Sequence, residues 1–136
     1  MENCIFCKII NNEIPSEKIY EDKNAIAILD ISPVNKGHAL VISKQHYENI
    51  LNTPDNILRE LIIIAKKISK AVMQSLNAQG INIGINNFKA AGQLVMHSHI
   101  HVIPRFNNDG LKHWPGKKYE NNEIKQFLEK IKTFLK

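Results

Sequence analysis

Arginine is nearly missing from this chain of 136 residues: sixteen of its eighteen basic residues are lysines. Only Arg59 and Arg105 offer the planar fork that grips a phosphate or a base edge through two hydrogen bonds at once. The formal net charge of +5 adds little, because residues 111–136 hold seven lysines against three glutamates and leave the rest of the chain close to neutral. A basic tail is not a basic groove, so nucleic acid is not an expected partner. Cysteine is confined to Cys4 and Cys7, and a chain of this length buries a core without disulfides. No apolar run approaches the roughly 20 residues that cross a bilayer. Met1-Glu2-Asn3-Cys4 also lacks the basic start and apolar stretch of a secretory leader. The expectation is one cytoplasmic domain over residues 1–136 with no membrane partner. Hydrophobic residues at 43% and charged residues at 23% are ordinary for a globular protein.

What is present is a succession of short β-rich runs and two helical ones. Ile5 to Ile10 reads as a helical turn, closed by Asn11-Asn12-Glu13-Ile14-Pro15. Lys18 to Glu21 and Ala25 to Leu29 predict strands across an Asp22-Lys23-Asn24 turn, and His38 to Ile42 returns as a third β-rich run. Connections this short imply antiparallel pairing. Thr53-Pro54-Asp55 supplies an N-cap, a first-turn proline and an early acid, with Gly80 as a stop. Between them Ile57, Leu61, Ile64, Ile68, Ala71, Val72 and Leu76 recur at helical spacing, and Ile62 and Ile63 widen the apolar face enough to suggest a partner surface. Ile81, Ile83 and Ile85 alternate as in a strand. Ile124, Phe127, Leu128, Ile131 and Phe134 mark a C-terminal helix in the basic tail 111–136, expected to pack on the body. The fold class is α+β: an antiparallel sheet of about five strands, one long central helix and a C-terminal helix.

Chemistry is concentrated in His97-Ser98-His99-Ile100-His101-Val102-Ile103. In a strand, residues two apart share a face and lie about 6.5 to 7 Å apart, which stacks three imidazoles in a row while Ser98, Ile100 and Val102 enter a core. A helix would scatter them at about 200° intervals. The plain alternative is three solvated or structurally satisfied histidines. A catalytic metal on all three is disfavoured: an amidohydrolase-type barrel needs about 250 residues, and only 35 follow His101. A cupin-like site wants a nearby carboxylate, but the first glutamate after His101 is Glu120, and Asp109 sits in an Asn-Asn-Asp-Gly turn. What remains is direct nucleophilic attack on phosphorus by a neutral ring nitrogen whose partner nitrogen is held by an acceptor. The amides of Gly92 and Gln93 stand just before the run, placed to hold phosphate oxygens.

These residues resemble the histidine-triad motif of the HIT superfamily, His-x-His-x-His followed by two apolar residues. Ile5-Phe6-Cys7-Lys8-Ile9-Ile10 with Glu13-Ile14-Pro15, Leu29-Asp30-Ile31-Ser32-Pro33, Gly37-His38-Ala39-Leu40-Val41-Ile42 with Lys44 and His46, and Ala91-Gly92-Gln93 are similar to its Hint branch. A His113-Trp114-Pro115 echo follows. The resemblance implies a purine nucleoside phosphoramidate hydrolase or nucleotidyl transferase, with His99 attacking the α-phosphorus to give a nucleotidyl-histidine. It implies that His101 and His38 bind phosphate oxygens or orient the nucleophile, and that Asn86, Gly92 and Gln93 complete the phosphate pocket. Asp30 would accept the ribose hydroxyls, and Ile5, Phe6, Ile9, Leu29, Ile31 and Leu40 would form the slot for the base. Read without the resemblance, the aliphatic members are equally good core residues, Asp30 is a turn residue and His38 a satisfied core histidine. Where Hint relatives often have serine after Gly-Gln, this chain has Leu94.

Cys4 and Cys7 lack the βαβ setting of a redox dithiol. Bacterial-type HIT proteins resemble a Cys2His2 arrangement here, which implies structural zinc held by Cys4, Cys7, His46 and His97 and no catalytic metal; the alternative is two free thiols in an apolar turn. The resemblance further implies a homodimer through the long helix and an adjoining strand. Two other readings stay open: a purine-nucleotide-binding interaction protein with incidental hydrolysis, and a dinucleoside polyphosphate hydrolase.

Overall fold

Asp22 closes the first hairpin, its carboxylate accepting the amides of Asn24 at 2.8 Å and Ala25 at 2.9 Å, as an Asx turn does. The computed structural model describes residues 3–135. Its elements run α1 (Ile5–Ile10), β1 (Lys18–Glu21), β2 (Ala25–Leu29), β3 (Ala39–Ser43), α2 (Asp55–Leu76), β4 (Gly80–Gly84), β5 (His99–Arg105) and α3 (Glu123–Phe134), with single 3-10 turns at Ile50–Asn52 and Lys89–Ala91. The five strands form one sheet in the order β1-β2-β3-β5-β4, every neighbouring pair antiparallel. This is the α+β architecture that the patterning predicts. No helix among the described residues is long and apolar enough to cross a membrane.

Side-chain alternation sorts the sheet into two faces. Ala25, Ala27, Ala39, Val41, Ile100 and Val102 pack against Leu61, Ile64, Ala65, Ile68 and Val72 of α2. The other face carries Ile26, Ile28, Leu40 and Ile42, covered by Phe6 and Ile9 of the short α1. His99 pairs with Ile42 and His101 with Leu40, so both histidines stand on the α1 face, where a six-residue helix leaves part of the sheet open.

Four expectations need correction. Strand β5 begins at His99, and His97 lies in the bend before it, so the strand carries two of the three imidazoles. Thr53 does not cap α2: its hydroxyl donates to the Asn49 carbonyl at 2.7 Å and bonds Ser98 Oγ at 2.9 Å, and Pro54 takes the cap position without a side-chain bond. The helix stops at Asn77, in the left-handed region at φ 52°, three residues before the expected glycine, because asparagine tolerates that conformation. Finally, α3 buries none of its residues. Ile124, Phe127, Leu128 and Ile131 are exposed along it, so among the described residues the expected packing on the body is not made; the apolar stripe has Tyr119 against Phe127, centroids 5.8 Å apart.

Arg105, one of the two candidate forks, is already engaged. It donates to Asp109 from Nε at 2.8 Å and Nη2 at 3.1 Å, and to Asn82 from Nη1 at 2.8 Å. The guanidinium holds the Asp109 carboxyl well below the usual carboxylate range. Its role is to close the turn after β5.

Candidate functional site

His38, His97 and His99 are buried and each has one ring nitrogen committed by a backbone group, while the half-buried His101 is committed through His38, so the backbone sets the tautomers directly or at one remove. The Val34 amide donates to His38 Nδ1 at 3.1 Å, leaving the proton of a neutral ring on Nε2. That nitrogen lies 2.9 Å from His101 Nδ1, which must accept, so His101 carries its proton on Nε2. His99 Nδ1 donates to the His97 carbonyl at 2.6 Å, leaving the lone pair on Nε2. His97 Nε2 donates to the Ser43 carbonyl at 2.7 Å, leaving its Nδ1 as the acceptor. Burial lowers the pKa of His38, His99 and His101 below 6.5, and that of His97 to about 4, so all four favour the neutral form at neutral pH.

His99 and His101, with ring centroids 4.9 Å apart, form one wall of a cavity of about 280 Å³. Of the predicted substrate residues, Phe6, Ile9, Leu29, Asp30, Ile31, Leu40 and Gly92 line the same cavity, as does Ile5. Phe6 meets His99 edge-on at 5.0 Å. Asp30 makes the turn and also lines the cavity. One carboxylate oxygen accepts the Ser32 amide at 2.8 Å, making the turn, and the other lies 3.8 Å from His38 Nε2. Leu94, 91% exposed, stands at the mouth. Ile14, Pro15, Ser16, Ile28 and Val95 complete the lining; the sequence pattern marked Ile14 and Pro15 as a turn and gave no signal for Val95.

Two predicted phosphate-holding groups are occupied elsewhere. The Gly92 amide donates to the Lys89 carbonyl at 2.9 Å and the Gln93 amide to the Phe88 carbonyl at 3.1 Å. The Gln93 side chain, 2% exposed, donates to the carbonyls of Glu48 and Val95 and accepts the Phe88 amide. Gln93 therefore shapes the loop that Gly92 turns at φ 90°, and it does not line the cavity. Asn86 lies on the far side of His101, lining a neighbouring cavity with Val34 and His38.

The second cluster gathers Cys4, Cys7, His46 and His97, one ligand atom from each lying within 4.8 Å of the others. Cys4 Sγ is 3.3 Å from His97 Nδ1, Cys7 Sγ is 3.3 Å from His46 Nδ1 and 3.6 Å from His97 Nδ1, and the two Nδ1 atoms are 3.1 Å apart. Tetrahedral bonds of about 2.3 Å to sulfur and about 2.0 Å to nitrogen require S···N edges of about 3.5 Å and an N···N edge of about 3.3 Å. The spacing fits a Cys2His2 metal site. Burial and the neighbouring Cys4 push the Cys7 thiol up to about 11, so binding of a cation here must displace protons. The ligand atoms of Asp30, His38 and His101 also lie within 4.8 Å of one another, but there the two facing ring nitrogens already share a hydrogen bond.

Comparison with known proteins agrees with this geometry. The HIT domain profile matches residues 11–108. An uncharacterized HIT-like protein of Borreliella burgdorferi is 48% identical over 132 residues, covering 95% of this chain and 94% of its own length. The adenosine 5'-monophosphoramidase hnt1 of Schizosaccharomyces pombe is 38% identical over 136 residues, 98% of this chain and 99% of its own. Among solved structures, a zinc-bound histidine triad family protein from Mycobacterium smegmatis is similar with a TM-score of 0.78 at 40% identity, covering 86% of this chain and 85% of that one. The chain with the His-x-His-x-His run at 97–101 belongs to the HIT family.

Proposed function

We propose that this protein hydrolyses purine nucleoside phosphoramidates, or transfers their nucleotidyl group, through a covalent bond between the α-phosphorus and His99 Nε2. The observation that carries this reading is the 2.6 Å bond from His99 Nδ1 to the His97 carbonyl, which leaves an unprotonated nitrogen on a ring that borders the cavity. A nucleophile held in one tautomer needs no base to remove a proton before attack. As the Nε2–P bond forms, the P–N bond to the leaving amine breaks, and the amine takes a proton. That proton comes from solvent, and His101, neutral with its proton on Nε2, donates a hydrogen bond to a phosphate oxygen. Water then attacks phosphorus, the Nε2–P bond breaks, and the nucleoside monophosphate leaves with His99 restored. Asp30 takes the ribose hydroxyls and the slot of Phe6, Ile9, Leu29, Ile31 and Leu40 takes the base.

The Cys4, Cys7, His46 and His97 set fits zinc by its edge lengths and donor types, and with all four tetrahedral positions filled by protein such a site is structural. It would fasten α1 to the bend before β5. We further infer a homodimer through α2 and β4. The resemblance to hnt1 of S. pombe, itself a monophosphoramidase by description, supports the choice of substrate class.

The test is turnover of adenosine 5'-phosphoramidate with acid-quench trapping of the adduct. His99→Ala should abolish turnover and the adduct while AMP still binds. Equal hydrolysis by His99→Ala rejects the proposal, and AMP binding without turnover by the parent protein favours the nucleotide-binding interaction reading.

A further inference from the structure

The face of β5 that carries His99 and His101 continues beyond them. Residues two apart share a face, so Ile103 and Arg105 follow on the same side, and with His101 they wall a second cavity of about 600 Å³. Of the lining residues His101 alone is common to both cavities: the base slot lies towards His99, the second cavity towards Arg105. On β4, Gly84 stands opposite His101 and Asn82 opposite Ile103, and both line the second cavity. A Cβ added at Gly84 would meet nothing within 4 Å, so the space beside His101 is open. Displacement at phosphorus is in line, with the leaving group departing from the side opposite the attacking nitrogen. A phosphorus held between His99 and His101 therefore sends its leaving group away from His99, along β5 towards Ile103 and Arg105.

Charge in the second cavity is one-sided. No carboxylate lines it; Asp30 lines the base slot instead. Arg105 is neutralised by Asp109 at 2.8 Å, and burial keeps His38 and His101 below 6.5 and so uncharged at neutral pH. Lys112 also lines the cavity and makes no ion pair among the described residues, which leaves one uncompensated positive charge. We propose that this cavity holds the leaving group and selects an amine that carries a carboxylate, with Lys112 as the residue that reads the charge. The inference rests on the reading of His99 as nucleophile and adds the class of leaving group. Residues two apart on a strand are about 6.5 to 7 Å apart, so an anionic end two or three carbons beyond the P–N bond reaches the stretch from Ile103 to Arg105. An ammonium end in the same place meets Lys112 and finds no carboxylate in the lining. In so open a cavity, attraction of the one and repulsion of the other each change binding by a factor of about two to five, and salt weakens both.

Three adenosine 5'-phosphoramidates test this, made with β-alanine, propylamine and diaminopropane, which are similar in length and differ in charge at the far end. For the parent protein kcat/KM should fall in the order acidic, neutral, basic, with about fivefold or more between first and last at low salt and a smaller spread at high salt. Lys112→Glu should reverse the order. Equal values for the three compounds, a preference for the basic one, or an order that Lys112→Glu leaves in place overturns the assignment. Isothermal titration of the same compounds into His99→Ala reads binding apart from turnover: Kd should rise from acidic to basic, and the double variant with Lys112→Glu should show the opposite trend. If the parent protein hydrolyses none of the three, the proposed reaction fails, and the order of Kd alone decides whether the cavity selects the carboxylate.

Discussion

His38 Nε2 lies 2.9 Å from His101 Nδ1, and the Val34 amide at His38 Nδ1 sets which of the two rings is the donor. A backbone N–H cannot accept, so the order Val34 to His38 to His101 runs one way only, and it ends with a proton on His101 Nε2. A separate bond, His99 to the His97 carbonyl, ends with a lone pair. Adjacent histidines on one strand thus present a base-like and an acid-like nitrogen at the same pH, each protonation state written by the main chain.

The pH dependence follows from that order. His38 and His101 are held below the ordinary 6.5, by burial first, with Asp30 opposing the shift; His99 adds to it at His38, and His38 adds to it at His101. Above 6.5 both rings are neutral in folded and unfolded chains alike, and their contribution to stability is constant. As pH falls below 6.5 the unfolded chain takes up protons that the folded one refuses, so stability declines. A proton on His101 Nδ1 would also face the Nε2 proton of His38. We expect kcat/KM to be flat around neutrality with an acid limb whose midpoint lies below 6.5. A midpoint above that value would contradict the buried neutral pair.

Replacement of His38 separates orientation from charge. His38→Ala leaves the Val34 amide and His101 Nδ1 without partners, and should lower kcat about 10- to 100-fold through loss of the fixed tautomer. His38→Gln can accept from Val34 through its oxygen and donate to His101 through its nitrogen, and should recover part of that loss. Steady-state kinetics on both variants check it, and equal damage from the two would show that the amide route is not what matters.

Asp30 is the next point to probe. Asp30 lines the cavity beside Leu29 and Ile31, and its Oδ2, 3.8 Å from His38 Nε2, is the oxygen not used by the turn, to which a diol could donate. Asp30→Ala should raise KM for ribonucleotide substrates about tenfold or more, the worth of hydrogen bonds to a charged acceptor, and leave KM for a 2',3'-dideoxy analogue unchanged. A parallel rise for both would assign Asp30 to the turn alone.

The fold was legible where alternation or helical spacing ran long: β2 and α2 lie where Ala25–Leu29 and the Ile57 to Leu76 series put them, and β3 (Ala39–Ser43) is shifted by one residue from the His38 to Ile42 run. The site was legible only for side chains. His99, His101, Asp30 and the apolar slot meet at one cavity, but the groups that set their protonation are the amide of Val34 and the carbonyls of His97 and Ser43, which any residue type could supply. Gln93 is expected from the sequence to help hold phosphate, whereas its side-chain amide is satisfied inward at both ends by Glu48, Val95 and Phe88, partners that are again backbone groups. The alternation of His97, His99 and His101 suggested one row, and nothing in it marks where the strand begins.

Gly37 gives a stability test beside the site. It sits at φ 97°, a conformation that strains any side chain, and a Cβ there would also require the Leu76 Cδ1 tip to move aside. Gly37→Ala should destabilise by about 1 to 3 kcal/mol, read from chemical denaturation. An unchanged midpoint would mean that the loop and the end of α2 part without cost.

The last prediction concerns assembly. Ile83 pairs with Val102, so it points to the α2 side of the sheet, yet it is 42% exposed at the edge strand β4, while Ile62 and Ile63 of α2 are 43% and 65% exposed. An unpaired edge beside apolar helix residues is a surface that a second copy of the chain can bury, extending the sheet and stacking the helices in a two-fold arrangement. Ile63→Glu places a charge in the middle of that surface. Light scattering should find the parent protein dimeric and Ile63→Glu monomeric, with its dissociation constant raised at least about tenfold, as expected for an unpaired charge buried in an interface. A parent protein that is monomeric at micromolar concentration would sink the dimer and leave the outer face of α2 needing another partner.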